Sequence, residues 1–177
     1  MSIEIEQTKK WISDVVVGCN FCPFAAKEVK KNSIHYTIEP SKDIADSLSR
    51  LMKECERLDE QSDIETTIII LPNGFDDFNE YLHLITLCEK LMKKESYEGV
   101  YQVASFHPNY CFEGSPENDA ANYTNRSIYP MLHLLREESL EEALASFPNP
   151  DGIPIKNVDF ARKKGEIYMK ALRNACI

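Results

Sequence analysis

The sequence predicts an α/β (or α+β) fold: a single compact domain, residues 1–177, built on a small three- to four-stranded, mainly parallel sheet with helices packed on it. Two observations lead there. Three short strand-like segments, "SIHYTIEP", "TTIIILP" and "GVYQVASF", are separated by long stretches of helical periodicity, and that alternation favours parallel pairing with right-handed crossovers. At 177 residues the chain is long enough for one real core and short for two, and no repeat, linker or low-complexity stretch divides it.

A first helix is expected over Ile3 to Val17, with Trp11, Ile12, Val15 and Val16 inward and Gly18 as its stop. Pro23 fits the first position of a second, short helix, "AAKEVKK", because proline has no N–H to lose there; this makes Cys22 the N-cap. "SIHYTIEP" alternates like a strand. Ser41 is then expected to cap a helix carrying Ile44, Leu48, Leu51, Met52, Cys55 and Leu58 on one face. "TTIIILP" reads as a fully buried central strand, and Asp77 with Glu80 has the spacing of a capping box for the helix that follows. His83 on that helix needs no functional role. "GVYQVASF" is the third strand.

From Phe106 to Ser139 the pattern changes, and nothing before Pro130 has the period of a helix or strand. A long irregular segment in a compact domain is usually functional or disordered, and the aromatics Phe106, Tyr110, Phe112, Tyr123 and Tyr129 argue for order. "PMLHLLREE" reads as a helix opened by Pro130, with Met131, Leu132, Leu134 and Leu135 on one side and His133, Arg136 and Glu137 on the other. Ser139 and Glu142 form a second capping box for the next helix.

Composition narrows the function classes. A net charge of −9 disfavours nucleic acid, whose binding relies on lysine and arginine displacing counterions. No run approaches the ~18 apolar residues of a membrane span, and the first residues lack a secretory signal, so a cytoplasmic protein without membrane contact is expected. The six cysteines are then expected to be reduced, with Cys55, Cys88 and Cys176 as small core residues. No cofactor is expected.

Between Lys94 and Lys156 there is no lysine, and Arg126 and Arg136 are the only arginines. Flanked by Asn122, Asn125, Ser127, Tyr110 and Tyr129, these two guanidinium groups suit a bidentate cradle for a small carboxylated or phosphorylated molecule. Each could instead pair with a local carboxylate such as Asp119 or Glu137 and pin the loop. His107, past the end of the third strand, stands where α/β sheets commonly place ligand contacts. A zinc site built from Cys19, Cys22, His107 and Cys111 would need two knuckles where the chain has one CxxC. A thioredoxin-like pair would put the first cysteine, not the second, at the helix start.

What remains is Cys22 as one thiol activated by a helix N-terminus. The expected site is that of a cysteine-dependent hydrolase or group transferase. Cys22 is its nucleophile, His107 or His133 its general base, and Asp119 or Glu137 orients the imidazole. Arg126 and Arg136 clamp the anion. Two alternatives stay open: a divalent metal held by His107, His133, Asp119 and Cys22, or a non-enzymatic module binding a small metabolite in the same pocket.

Three stretches, "CPFA" at 22–25, "QVASFHPNY" at 102–110 and "NYTNRSIYPMLHLLREES" at 122–139, resemble a family of bacterial and plant proteins classed as a domain of unknown function, DUF1415. The resemblance covers most of the chain and implies membership without implying a reaction. The family pattern includes the positions of Cys22, His107, Asp119, Asn122, Asn125, Arg126, His133 and Arg136. It has leucine-like residues where Cys19 stands and requires no thiol at Cys111, which implies that neither zinc through Cys19 nor a Cys19–Cys22 redox pair belongs to it. It also has proline where this chain has Ile128.

Overall fold

The computed structural model describes residues 2–177. In chain order the elements are α1 (Ile3–Trp11), a π-helical segment (Ile12–Val17), α2 (Ala25–Lys31), β1 (Ile34–Ile38), α3 (Ile44–Glu60), β2 (Thr66–Ile70), α4 (Phe78–Lys94) and β3 (Tyr101–Phe106). There follow a 3₁₀ turn (Ala120–Thr124), β4 (Met131–Arg136), α5 (Glu137–Ala145), α6 (Gly152–Lys164) and α7 (Glu166–Asn174).

The four strands form one mixed sheet in the order β1-β2-β4-β3. β1 pairs with β2 in parallel, while β4 lies antiparallel to both β2 and β3. The three strands legible in the sequence therefore run the same way, as expected. The surprise is the fourth. The segment opened by Pro130 is strand rather than helix, because β2 and β3 each offer an unpaired edge and one strand between them satisfies the backbone donors and acceptors of both. A six-residue apolar run carries too few periods to tell helix from strand by itself.

The change of element changes the faces. A strand alternates sides, so Met131, His133 and Leu135 point one way and Leu132, Leu134 and Arg136 the other. His133 and Arg136, neighbours on the expected helix, stand on opposite faces of the sheet. Each face carries its own core. Trp11, Ile12, Val15 and Val16 pack with Ile68, Ile70, Met131 and Tyr123 on the first. Leu51, Cys55 and Leu58 of α3 and Tyr81, Leu84 and Cys88 of α4 pack with Ile69, Leu132 and Leu134 on the second. Burial pushes the Cys55 and Cys88 thiols up to about 12, consistent with inert core cysteines.

Two other boundaries differ from expectation for plain physical reasons. Asp43, not Ser41, caps α3: its carboxylate accepts from the Ala45 amide at 2.7 Å, and the Ser41 hydroxyl accepts one step earlier from Asp43 N–H. Glu137 opens α5, which leaves Ser139 inside the helix and removes the second capping box. Asp77 does cap α4, accepting from both the Asn79 and Glu80 amides at 2.9 Å.

The first helix runs as far as expected but not as one type. From Ile12 it widens into a π-helix, and the Gly18 amide donates five residues back to Ser13 O at 3.0 Å. A Cβ at Gly18 would sit 2.2 Å from Asp14 O. Glycine is there for close approach, not for φ, which is −60°. We expect Gly18→Ala to cost about 2 kcal/mol through backbone displacement, read as a lower urea midpoint at unchanged m-value.

Candidate functional site

The first face of the sheet holds a cavity of about 580 Å³. The π-helical segment closes one side through Trp11, Ile12 and Val16; Cys22, Phe24 and Ala25 close another; Leu140 and Ala143 of α5 form a third. Its floor is the sheet, with Ile68, Phe106, Leu135, Thr66 and His133. Such a volume with apolar walls and few polar groups suits a small organic ligand. That a π-helix forms a wall fits the tendency of these segments to occur at functional sites.

The polar centre of the floor is His133. Its Nε2 lies 2.8 Å from Thr66 Oγ1, and the Thr66 hydroxyl also donates to Leu134 O at 2.6 Å. A hydroxyl has one proton, and this one is spent on the carbonyl, so Thr66 accepts from the histidine N–H. The neutral imidazole is thereby held in the Nε2–H tautomer, with Nδ1 as its acceptor. Burial pushes the His133 pKa down to about 4, so the ring is uncharged at neutral pH. The Phe106 ring stacks on it at a centroid distance of 5.7 Å, and Trp11 meets Phe106 edge-on at 5.1 Å.

Of the residues expected to form the site, Cys22 and His133 come to this cavity, and Arg136 borders it with its guanidinium turned elsewhere. Cys22 does not cap α2. The helix starts three residues later, after Pro23 and Phe24, and the Ala25 amide bonds back to Cys22 O at 3.2 Å. The thiol has therefore lost the helix-start position that made it a reactive candidate. It is half-buried against the first core.

His107 belongs to the other face and is fully buried. Its Nε2–H donates to Phe75 O at 2.8 Å, and its Nδ1 accepts from the Asn109 amide at 3.0 Å. Both nitrogens are used, and burial lowers the pKa. Phe75 has φ +63°, an unusual conformation for a bulky residue, and the bond from His107 helps to hold it. This is an imidazole that organises a turn.

The arginines do not form a clamp. Arg126 lies near the Phe106 end of the β3–β4 ladder and Arg136 at the opposite end, where it pairs with Tyr101. Arg126 donates to Tyr110 O and Glu117 O, both at 2.8 Å, and lies over the Tyr123 ring. Arg136 reaches across the second face to Leu58 O, Gln61 O and Ile64 O. All these partners are backbone carbonyls. Each arginine pins a loop as the alternative reading held, though by carbonyls in place of Asp119 or Glu137.

The other expected residues shape the long loop. Asn122 is buried; its Oδ1 accepts from the Phe112 amide and its Nδ2 donates to Pro116 O, each at 3.0 Å. Asn125 donates to Ser105 O, Ser127 to Tyr129 O, and the Tyr129 hydroxyl to Gln7. Tyr110 packs between Phe78 and Phe112. Asp119 caps the 3₁₀ turn through the Ala121 amide and pairs with Arg162 at 2.8 Å, which holds its carboxyl below the ordinary range. Asp119 orients no imidazole. Glu137 begins α5, its amide bonded to Val100 O.

Among the described residues no three His, Cys, Asp or Glu side chains stand together so as to hold a metal ion, and His107 and His133 face opposite sides of the sheet. The expected position of the pocket also shifts. The 580 Å³ cavity uses the starting residues of β1 and β2, Ile34 and Thr66, rather than the carboxyl edge. At that edge lies a second, more polar hollow bordered by Lys42, Asn73, Asp76, Asp77, Glu80 and His83, none of them an expected site residue.

Sequence reasoning missed Thr66, Glu28, Glu65 and Glu142 around the cavity. Thr66 and His133 are 67 residues apart, and nothing local marks either as the other's partner. Trp11, Ile12 and Val16 were legible as inward-facing, but not that their far side borders a hollow.

Among the described residues no helix is long and apolar enough to cross a membrane. No curated protein and no solved structure matches the chain. Residues 4–171 match the family described as "Protein of unknown function (DUF1415)", and the chain belongs to that family, as its three motif stretches implied.

Proposed function

We propose that this protein binds a small, largely apolar molecule in the cavity between the π-helical segment, α5 and the first face of the sheet. The observation that carries this reading is the state of His133: a neutral ring whose N–H is committed to Thr66, leaving Nδ1 as acceptor in an apolar surrounding. Such a group orients a ligand O–H or N–H without requiring charge. Apolar walls supply affinity, and one acceptor supplies direction.

The chain's single tryptophan, Trp11, lines the cavity, so its emission reports occupancy. Phenol is expected to bind about fivefold more tightly than toluene, the value of one net hydrogen bond. His133→Leu should erase that preference while toluene still binds. Equal affinity of the two probes for the native protein would refute the acceptor role.

The hydrolase or transferase reading keeps one support, Cys22 and His133 on the same cavity. Against it stand the depressed basicity of His133 and the arginines engaged elsewhere. Under the binding reading Cys22→Ser leaves phenol affinity unchanged, and a bound phenol slows carbamidomethylation of the native thiol by shielding it.

A further inference from the structure

We infer that the molecule held in this cavity carries a carbonyl acceptor together with a hydroxyl or amino donor: the indole N–H of Trp11 donates to the first, and His133 Nδ1 accepts from the second. The inference rests on the cavity reading above and adds a second polar contact, of opposite sense, to the one at His133.

Trp11 is 1% exposed and stands in the cavity wall, yet its Nε1–H has no hydrogen-bond partner among the described residues. This is the one polar atom of an indole, and when the ring is buried it ordinarily finds an acceptor. The surroundings supply none. Phe106 meets the indole edge-on at 5.1 Å, and Val15, Val16, Ile68 and Ile70 of the same core are hydrocarbon. A donor withdrawn from water and left unpaired bears its desolvation cost with no bond to offset it, so each such group in a folded protein calls for a partner.

His133 is the complement. Its Nε2–H is spent on Thr66 Oγ1, whose own proton goes to Leu134 O, so Nδ1 is left as a lone-pair acceptor. The imidazole stacks on Phe106 at 5.7 Å, on the same ring that the indole meets. Trp11, Phe106 and His133 thus form one aromatic stretch of the wall with an unused donor on one member and an unused acceptor on another.

This pair selects by chemistry. A carbonyl oxygen brings lone pairs and no proton, which is what the indole N–H requires, and a hydroxyl or amino group brings the proton that Nδ1 lacks. Because the indole N–H is already out of water in the free protein, bonding it costs the protein no further desolvation. A molecule of the same shape without the carbonyl leaves the N–H unpaired, and a site of this kind discriminates against it.

Acetophenone and α-methylstyrene have the same shape and differ in a carbonyl oxygen against a methylene, so their affinities by calorimetry isolate the donor. Acetophenone is expected to bind the native protein about fivefold more tightly. In Trp11→Phe the two should bind within about twofold of each other, while α-methylstyrene keeps its native affinity to about twofold and shows that the cavity is intact. The chain has one tryptophan, so a proton–nitrogen correlation spectrum holds one indole N–H resonance, expected to move downfield with acetophenone relative to α-methylstyrene. For the second contact, meta- or para-hydroxyacetophenone should gain about fivefold over acetophenone, and His133→Leu should erase that gain without removing the preference for acetophenone over α-methylstyrene.

An indole resonance indifferent to acetophenone would assign the N–H to Thr8, whose hydroxyl one turn back on α1 is also buried and unpartnered, and would overturn the inference. A carbonyl preference that survives in Trp11→Phe overturns it as well, as does a hydroxyl gain from neither isomer. If acetophenone and α-methylstyrene bind the native protein equally, the donor assignment fails and the cavity reading stands. If no probe binds, both fall.

Discussion

Replacing Arg136 by alanine should destabilise the protein by about 3 kcal/mol without altering what the cavity's apolar walls bind. The guanidinium sits beyond the last turn of α3, and its Nη2 donates to Leu58 O at 2.6 Å, Ile64 O at 3.0 Å and Gln61 O at 3.2 Å, while Nε adds a second bond to Ile64 O. A cation at this end of a helix also opposes the negative end of the helix dipole. Its Nη1 lies 3.4 Å from the Tyr101 hydroxyl, which donates to Asp59 on the last turn of α3 at 2.6 Å; Tyr97 donates to the other oxygen of Asp59 at 2.7 Å.

Truncation therefore leaves several carbonyls without a donor at the seam between α3 and β4, and the unmade bonds cost more than the made ones contributed. Arg136→Lys should recover less than half of the loss, because a single ammonium does not span the fork. Urea unfolding of the two variants with unchanged m-values would measure this. An alanine variant within 0.5 kcal/mol of native, on the order expected for an ordinary surface change, would show that the network is dispensable.

The second large effect is a loss of stability on mild acidification. The unfolded chain protonates its histidines near pH 6.5, but the folded protein holds His133 near 4 because burial opposes the charged ring. Burial also lowers His107, and it lowers His35 against the opposing pull of Glu54. The sign follows. Below pH 6.5 the unfolded state binds more protons than the folded one, so stability falls as pH falls. The contribution of His133 is fully present above pH 6.5 and is lost on the way down to about 4.

At about 1.4 kcal/mol per unit this single group accounts for a loss of about 3 kcal/mol across that window. His35 and His107 add to it in the same direction. Asp119, held low by Arg162, contributes only below its ordinary value of 3.8, outside the window. Urea midpoints between pH 7.5 and pH 4.5 should fall steadily in the native protein, and His133→Gln should flatten the slope by one proton's worth. A His133→Gln profile parallel to the native one would place the ring outside the titration.

Much of the architecture was readable because it repeats within short windows. The β-branched run at residues 66–70 is buried at every position, the Asp77 cap is where the spacing puts it, and Trp11, Ile12, Val15 and Val16 face the core. Each of these depends on periodicity or on a cap two or three residues from its helix. β4 was not readable. "PMLHLLR" is apolar enough for either element, and it became a strand because β2 and β3 lay on either side with open edges. That one assignment separated His133 from Arg136 and with it dissolved the expected polar helix face.

The candidate site shows the same division. Cys22 and His133 stood out by residue type, and both reach the cavity. Asn122, Arg126 and Asp119 stood out for the same reason, yet their side chains bond the loop's own backbone and, for Asp119, Arg162. Residue type announces what a group can do in one protonation state; partners decide whether the capacity is free. A guanidinium with three carbonyls in reach has little left for a ligand.

By itself the sequence determined an α/β domain with three strands running alike, the cores of its two long central helices, the Asp77 cap that begins the second of them and the family to which the chain belongs. Only the tertiary structure decided that a fourth strand runs against the others, which face each histidine occupies, and that a hollow remains beneath the π-helical segment. The physical reason is range. Helical period and capping act over a turn, whereas strand insertion and the proton count at Thr66 and His133 depend on groups far apart in the chain and adjacent only after folding.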